Sequence, residues 1–124
     1  MPTRRSVFVV DDDPSMRMGI KRLLRVHGFH SRLFESADAL LACGDLDKAF
    51  CLILDVNLNG ESGIDLYGRL ADSGVSLPVI YITGNDREAY RAGAIESGCI
   101  AYLTKPFVAS ALIEPIQRLH GTAA

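Results

Sequence analysis

The sequence predicts an α/β fold, a doubly wound parallel sheet of five strands with helices on both faces. Three observations carry that expectation. Apolar strand-like runs alternate with helix-like stretches five times along the 124 residues. The connections between them are short, as right-handed βα crossovers in a three-layer sandwich require. The third run, CLIL at 51–54, is apolar throughout, which suits a central strand covered on both faces.

VFVV (7–10) precedes a stretch in which Met16, Ile20, Leu23, Leu24 and His27 fall on one helical face. Asp13 before Pro14 reads as a helix cap followed by proline at the first helical position, a common start signal. HSRLF (30–34) alternates weakly, as an edge strand does, and leads into a short helix over 37–43. After CLIL come the turn Asn59–Gly60 and a helix near 64–70. Pro78 opens VIYI (79–82), followed by a weak helix over 87–97. There Ala89, Ala92, Gly93 and Ala94 offer little apolar surface, which suits either a shifting element or merely a small-residue helix. CIAYL (99–103) is the last strand, and Val108, Ala111, Leu112, Ile116 and Leu119 mark the last helix. Pro115 falls inside that helix, where it removes a hydrogen bond and clashes with the preceding turn; a kink or early break is expected.

With 48% hydrophobic and 23% charged residues, residues 1–124 read as a single domain, neither disordered nor fibrous. A net charge of −2 gives no general drive toward nucleic acid, although seven of the 13 Lys and Arg lie in the first 32 residues. The N-terminal MPTRRSVFVV meets three acids after four apolar residues, too few for a signal-peptide core, and no run reaches transmembrane length. Cys43, Cys51 and Cys99 are odd in number and lack metal-ligand spacing, so they read as reduced, packed thiols of a cytoplasmic protein. His27, His30 and His120 share no spacing with each other or with the acids, and none reads as a ligand. The tail HGTAA shows no linker or helix-turn-helix, so direct DNA binding is not expected.

Polar groups recur where apolar runs stop: Asp11–Asp12–Asp13 after VFVV, Asp55 after CLIL, Thr83 after VIYI, and Lys105 in LTKPF. In an open α/β sheet the carboxyl ends of parallel strands share one edge, so these side chains are expected to converge. Two carboxylates about 4 Å apart repel by roughly 4 kcal/mol at an effective dielectric of 20. Mg²⁺ reverses the local sign and favours carboxylates, waters and phosphate oxygens. Lys105 and Thr83 are suited to holding phosphoryl oxygens, and Asp55, flanked by apolar strand, is the natural nucleophile for an aspartyl phosphate.

VDDDPSMR, LDVNLNGESG, YITG and YLTKPF, in this order and at these spacings, resemble the receiver domain of two-component response regulators over essentially the whole chain. The resemblance implies a flavodoxin-like sheet of strand order 2-1-3-4-5. It implies that Asp55 accepts a phosphoryl group from a phosphohistidine on a sensor histidine kinase or phosphotransfer protein. Asp12 and Asp55 would ligate Mg²⁺ by side chain, Asn57 through its backbone carbonyl, and Asp11 through water. Thr83 would move toward the phosphoryl group, with Tyr102 following it inward, and a cis bond would precede Pro106. The switched surface would then control a downstream partner, with phosphorylation-driven homodimerisation common in the family. The first helix, whose Arg17, Lys21 and Arg25 line one face, would help dock the kinase; a plain solvated stripe is the alternative.

The chain departs from the family in having Leu58–Asn59 where Met-Pro is common, which predicts a looser loop after Asp55. Asn85 reads equally as a gate for water at the phosphoaspartate or as a loop asparagine. VFVVDDDPS also imitates the Asp-x-Asp motif of haloacid-dehalogenase-like phosphatases, with Asp11 as nucleophile and Asp13 as acid/base. That alternative lacks acids after Lys105 other than Glu114 in the last helix, and lacks a cap domain.

Overall fold

A computed structural model describes the backbone of residues 6–122 and the side chains as far as His120. The MPTRR segment and the end of the HGTAA tail, on which the signal-peptide and linker readings bear, lie outside the described side chains. In chain order the elements are β1 (Ser6–Val10), α1 (Pro14–Val26), β2 (Ser31–Phe34), α2 (Ala37–Ala42), β3 (Ala49–Asp55), β4 (Asn57–Leu58), β5 (Glu61–Ser62), α3 (Gly63–Asp72), β6 (Val79–Thr83), α4 (Glu88–Glu96), β7 (Ala101–Thr104) and α5 (Ala109–Thr122). A short 3-10 turn, Leu46–Lys48, leads into β3.

The main sheet is parallel with order β2-β1-β3-β6-β7. This is the expected 2-1-3-4-5 topology, renumbered because a small antiparallel hairpin, β4–β5, intervenes after β3. Alternation along the strands sorts the core into two layers. Phe8, Val10, Leu52, Leu54 and Tyr81 face α2, α3 and α4, meeting Leu40, Leu66, Leu70 and Ala94. Val7, Val9, Cys51, Ile53, Ile80 and Ile82 face α1 and α5, meeting Ile20, Leu24, Leu112, Ile113 and Ile116. CLIL is therefore buried on both faces, as its composition predicts. The edge strands β2 and β7 are only half-buried.

Four local expectations differ from the structure. His27 is exposed and caps the end of α1, its Nδ1 lying 3.0 Å from the Leu23 carbonyl oxygen, because the helix ends at Val26 and the chain leaves the helical path at His27. Val108 precedes α5 and is 69% exposed, so it takes no part in that helix's apolar face. The last strand begins at Ala101; Cys99 follows the Ser97–Gly98 turn that ends α4, and Ile100 leads into the strand, its N–H bonded to the Val79 carbonyl at 2.9 Å. Pro115 does not break α5, which runs on to Thr122. A proline inside a helix costs about 3 kcal/mol, but Leu112, Ile113 and Ile116 are fully or almost fully buried around it and hold the helix on the sheet.

The loop after Asp55 is also tied more firmly than Leu58–Asn59 predicts. Asn57 pairs with Ser62 and Leu58 with Glu61. Leu58 is buried, Gly60 supplies the positive φ of 83° at the turn, and Glu61 takes a two-oxygen ion pair from Arg69 at 2.7 and 2.8 Å. No helix of the described residues is long and apolar enough to cross a membrane. The three cysteines are free, and burial pushes the Cys51 thiol up to about 12.

Candidate functional site

Parallel pairing of β1, β3, β6 and β7 puts their carboxyl ends on one edge, and all four predicted groups arrive there. Asp11 follows β1, Asp55 ends β3, Thr83 ends β6 and Lys105 follows β7. Asp11, Asp55 and Thr83 are buried, an unusual placement for carboxylates unless they are paired. Lys105 is what pairs them: its Nζ lies 3.3 Å from Asp11 Oδ2 and 3.2 Å from Asp55 Oδ2. The backbone at Lys105 is held by a bond from its N–H to the Thr83 carbonyl at 2.8 Å, and the peptide bond to Pro106 is cis.

Asp12 completes the acidic group. One carboxylate oxygen each from Asp11, Asp12 and Asp55 lie within 4.8 Å of one another. Three carboxylates against one ammonium leave two negative charges, matching one divalent cation, and oxygen donors are the set that a hard cation such as Mg²⁺ takes. Burial pushes the Asp11 carboxyl above its ordinary range, with the nearby Asp55 charge adding to the rise against the bonds from Asp13 and Lys105. Burial also opposes the charge on Lys105, but Asp55 and Asp11 together outweigh it and hold its ammonium above the ordinary lysine value.

The backbone positions the acids. The Asp13 N–H donates to Asp11 Oδ1 at 2.9 Å, and the Asn57 N–H donates to Asp55 Oδ1 at 2.9 Å. Asp13 itself is exposed and caps α1 by accepting from the Ser15 N–H at 2.9 Å, with Pro14 at the first helical position. Arg17 leaves the expected basic stripe: its Nη1 donates to the Asp11 carbonyl oxygen at 2.7 Å, while Lys21 and Arg25 stay exposed. The spacing of the stripe carried no sign of that structural role.

Thr83 Oγ1 donates to Asn57 Oδ1 at 2.9 Å and accepts from the Asn85 N–H at 3.0 Å. Asn57 Nδ2 in turn donates to the Tyr90 hydroxyl at 3.3 Å, so a side-chain path runs from Thr83 to α4. Tyr102 lies on the same flank, half-buried, and donates its hydroxyl to Asp86 Oδ1 at 3.0 Å. Arg91 pairs with Asp86 Oδ2 at 2.5 Å and sits 5.0 Å from the centre of the Tyr102 ring. Tyr90, Asp86 and Arg91 were not singled out in the sequence, since they occupy a segment without apolar periodicity. His27 and His120 lie elsewhere, the latter against Phe29 and Phe50, and no histidine joins the acidic group among the described residues.

Residues 7–117 match the family model of the response regulator receiver domain. The chain is 37% identical over 114 residues to nodulation protein W of Bradyrhizobium diazoefficiens, covering 92% of this chain and 50% of that protein. It is 30% identical over 116 residues to the transcriptional regulatory protein FixJ of Rhizobium meliloti, covering 94% and 57%. Among solved structures it resembles FixJ-N, with a TM-score of 0.84 at 30% identity over 98% of this chain and 96% of that one. It also resembles the response regulator StyR, with a TM-score of 0.87 at 36% identity over 97% and 61%. The chain thus spans about half the length of the curated relatives it matches. The phosphatase alternative finds no support: the match is to receivers, and Asp13, its required acid/base, is spent as an exposed helix cap. Sheet order, strand-end acids and family match agree, and this chain belongs to the response regulator receiver domain family.

Proposed function

We propose that Asp55 is the phosphoacceptor of a Mg²⁺-dependent receiver, phosphorylated by a phosphohistidine on a sensor histidine kinase or a phosphotransfer protein. The observation that carries this reading is the position of Lys105 Nζ, 3.2 Å from Asp55 Oδ2, beside the three-carboxylate group. In the transfer a carboxylate oxygen of Asp55 forms a bond to phosphorus as the bond from phosphorus to the donor nitrogen breaks. The electron pair of that bond stays on the imidazole. Lys105 holds a phosphoryl oxygen, and Thr83 donates its hydroxyl proton to another. Asp11, Asp12 and Asp55, with the Asn57 carbonyl, are the residues that would hold Mg²⁺, which supplies charge neutralisation for the incoming phosphoryl group.

The protein catalyses only its own phosphorylation and dephosphorylation. Contacts from the phosphoryl group to Thr83 and Lys105 bias Thr83 and Tyr102 toward a second arrangement; moving a population from 1:99 to 99:1 takes about 5.5 kcal/mol. The altered surface controls a downstream protein, with homodimerisation one route, and operates in the cytoplasm without direct contact from this domain to nucleic acid.

The test is intact mass after incubation with acetyl phosphate and Mg²⁺. Wild type is expected to gain one labile phosphoryl group and Asp55→Asn none. Labelling that survives Asp55→Asn but disappears with Asp11→Asn would overturn the assignment.

A further inference from the structure

A hydroxyl has one proton to donate, and Thr83 gives its proton to Asn57 Oδ1 while its oxygen accepts from Asn85. It cannot at the same time donate to a phosphoryl oxygen at Asp55. Asn57 is equally committed, since its amide reaches the Tyr90 hydroxyl on α4. On α4 itself only Ala94 is buried, and no side chain caps its first turn. In the first half of the helix the Tyr90 ring packs at the edge of the core while its hydroxyl bonds to Asn57, and Arg91 pairs with Asp86 just ahead of the helix.

We propose that the Asn57 carboxamide is a positioning residue that links the two ends of this path. It holds the Thr83 proton away from the phosphoryl site in the resting protein and ties α4 to the site through Tyr90. When Thr83 redirects its proton, Asn57 loses its donor, its side chain is free to turn, and the first half of α4 is released. The inference rests on the receiver reading and adds to it the route by which the site reaches α4. By linkage, breaking the path at either end shifts the same equilibrium.

The measurement is amide hydrogen exchange over 88–96, with and without beryllium fluoride and Mg²⁺ as a stand-in for the phosphoryl group. Wild type is expected to exchange faster in this segment when the stand-in is bound. Tyr90→Phe keeps the packed ring and removes only the hydroxyl, and it should raise exchange in the unliganded protein roughly two- to fivefold, as loss of one partly exposed hydrogen bond allows. Thr83→Val, which removes a hydroxyl bonded to Asn57 and Asn85 and to no residue of α4, should raise exchange of the same segment, and the double variant should add little to either single change.

A merely structural Tyr90 would leave Thr83→Val without effect on α4, or would make the two effects multiply; either result overturns the inference. Failure of acetyl phosphate to label the wild type would instead remove the receiver reading, and the inference with it. A labelled wild type whose α4 exchange stays unchanged in both variants sinks the inference alone.

Discussion

Gly63 packs directly over the backbone of Asp55: a Cβ at position 63 would overlap the Asp55 carbonyl oxygen, and would also lie 3.0 Å from its carbonyl carbon and 3.3 Å from Leu54 Cβ. The Gly63 N–H is meanwhile bonded to the Val56 carbonyl at 3.0 Å, which pins the start of α3 against the end of β3. Gly63→Ala must push α3 away from the end of β3. The expected cost is about 1–3 kcal/mol of unfolding free energy, with slowed labelling by acetyl phosphate. Gly93→Ala is the control. Its Cβ would meet only Ile64 side-chain carbons at 3.6 and 3.7 Å, and alanine in a helix interior should add up to about 1 kcal/mol. Urea unfolding of the pair distinguishes crowding from generic helix effects.

Asp11 is a buried carboxylate whose proton affinity rises on folding, chiefly through burial. Between its unfolded value of 3.8 and its raised folded value, the native state binds more protons than the unfolded state. Stability therefore falls as pH rises through that window, and the full cost is present above the raised folded value. In EDTA at pH 7, Asp11→Asn should melt higher than wild type, and the difference should vanish below pH 3.8. With Mg²⁺ at about a hundred times its dissociation constant, wild type should gain roughly 2.7 kcal/mol, and the variant should gain less. Calorimetry in the two buffers checks both signs.

Lys105 runs the other way. Its ammonium is held charged between Asp55 and Asp11, so its contribution is complete below the ordinary value of 10.5 and is lost as pH rises through the raised folded value. Lys105→Met leaves two carboxylates facing each other without it, and about 1–3 kcal/mol of stability should be lost at pH 7. Labelling by acetyl phosphate should fall at least about tenfold, the scale expected for losing a charged hydrogen bond made in the transition state. Restored labelling at unchanged rate would show that the ammonium is structural only.

Tyr102 is anchored outward by Asp86, and burial with that bond raises its hydroxyl above the ordinary 10.0. Asp86→Asn should bring the Tyr102 titration down, seen by ultraviolet absorbance as the difference from Tyr102→Phe. Tyr102→Ala should leave phosphorylation intact within about twofold and weaken binding of the downstream partner, since the hydroxyl bonds to Asp86 and not to Asp11, Asp12 or Asp55. Equal affinity of phosphorylated wild type and variant would sink its switch role.

Pro115→Ala restores one backbone donor to a helix already held by Leu112, Ile113 and Ile116. The variant should be more stable by about 1–3 kcal/mol, less the packing lost from a buried ring. Loss of stability would mean that the ring's own packing is worth more than the missing bond.

Much of this protein is legible in its residues alone. Apolar runs of strand length between helix-like stretches determine five βα units, because a two-faced sheet buries whole strands. Asp11, Asp12, Asp55, Thr83 and Lys105 each close such a run, so their meeting at one edge follows from parallel pairing. The tertiary structure decided what one-dimensional pattern does not encode: which proton each polar group holds. Asn57 touches Thr83 and Tyr90, Tyr102 touches Asp86, and Arg17 reaches back to the Asp11 carbonyl. These bonds join residues from different elements or face the site across a loop, and nothing in local periodicity distinguishes them from solvated side chains. Pro115 fails as a helix breaker for the same reason, since a local cost of about 3 kcal/mol is outweighed by burial that only the assembled sheet supplies.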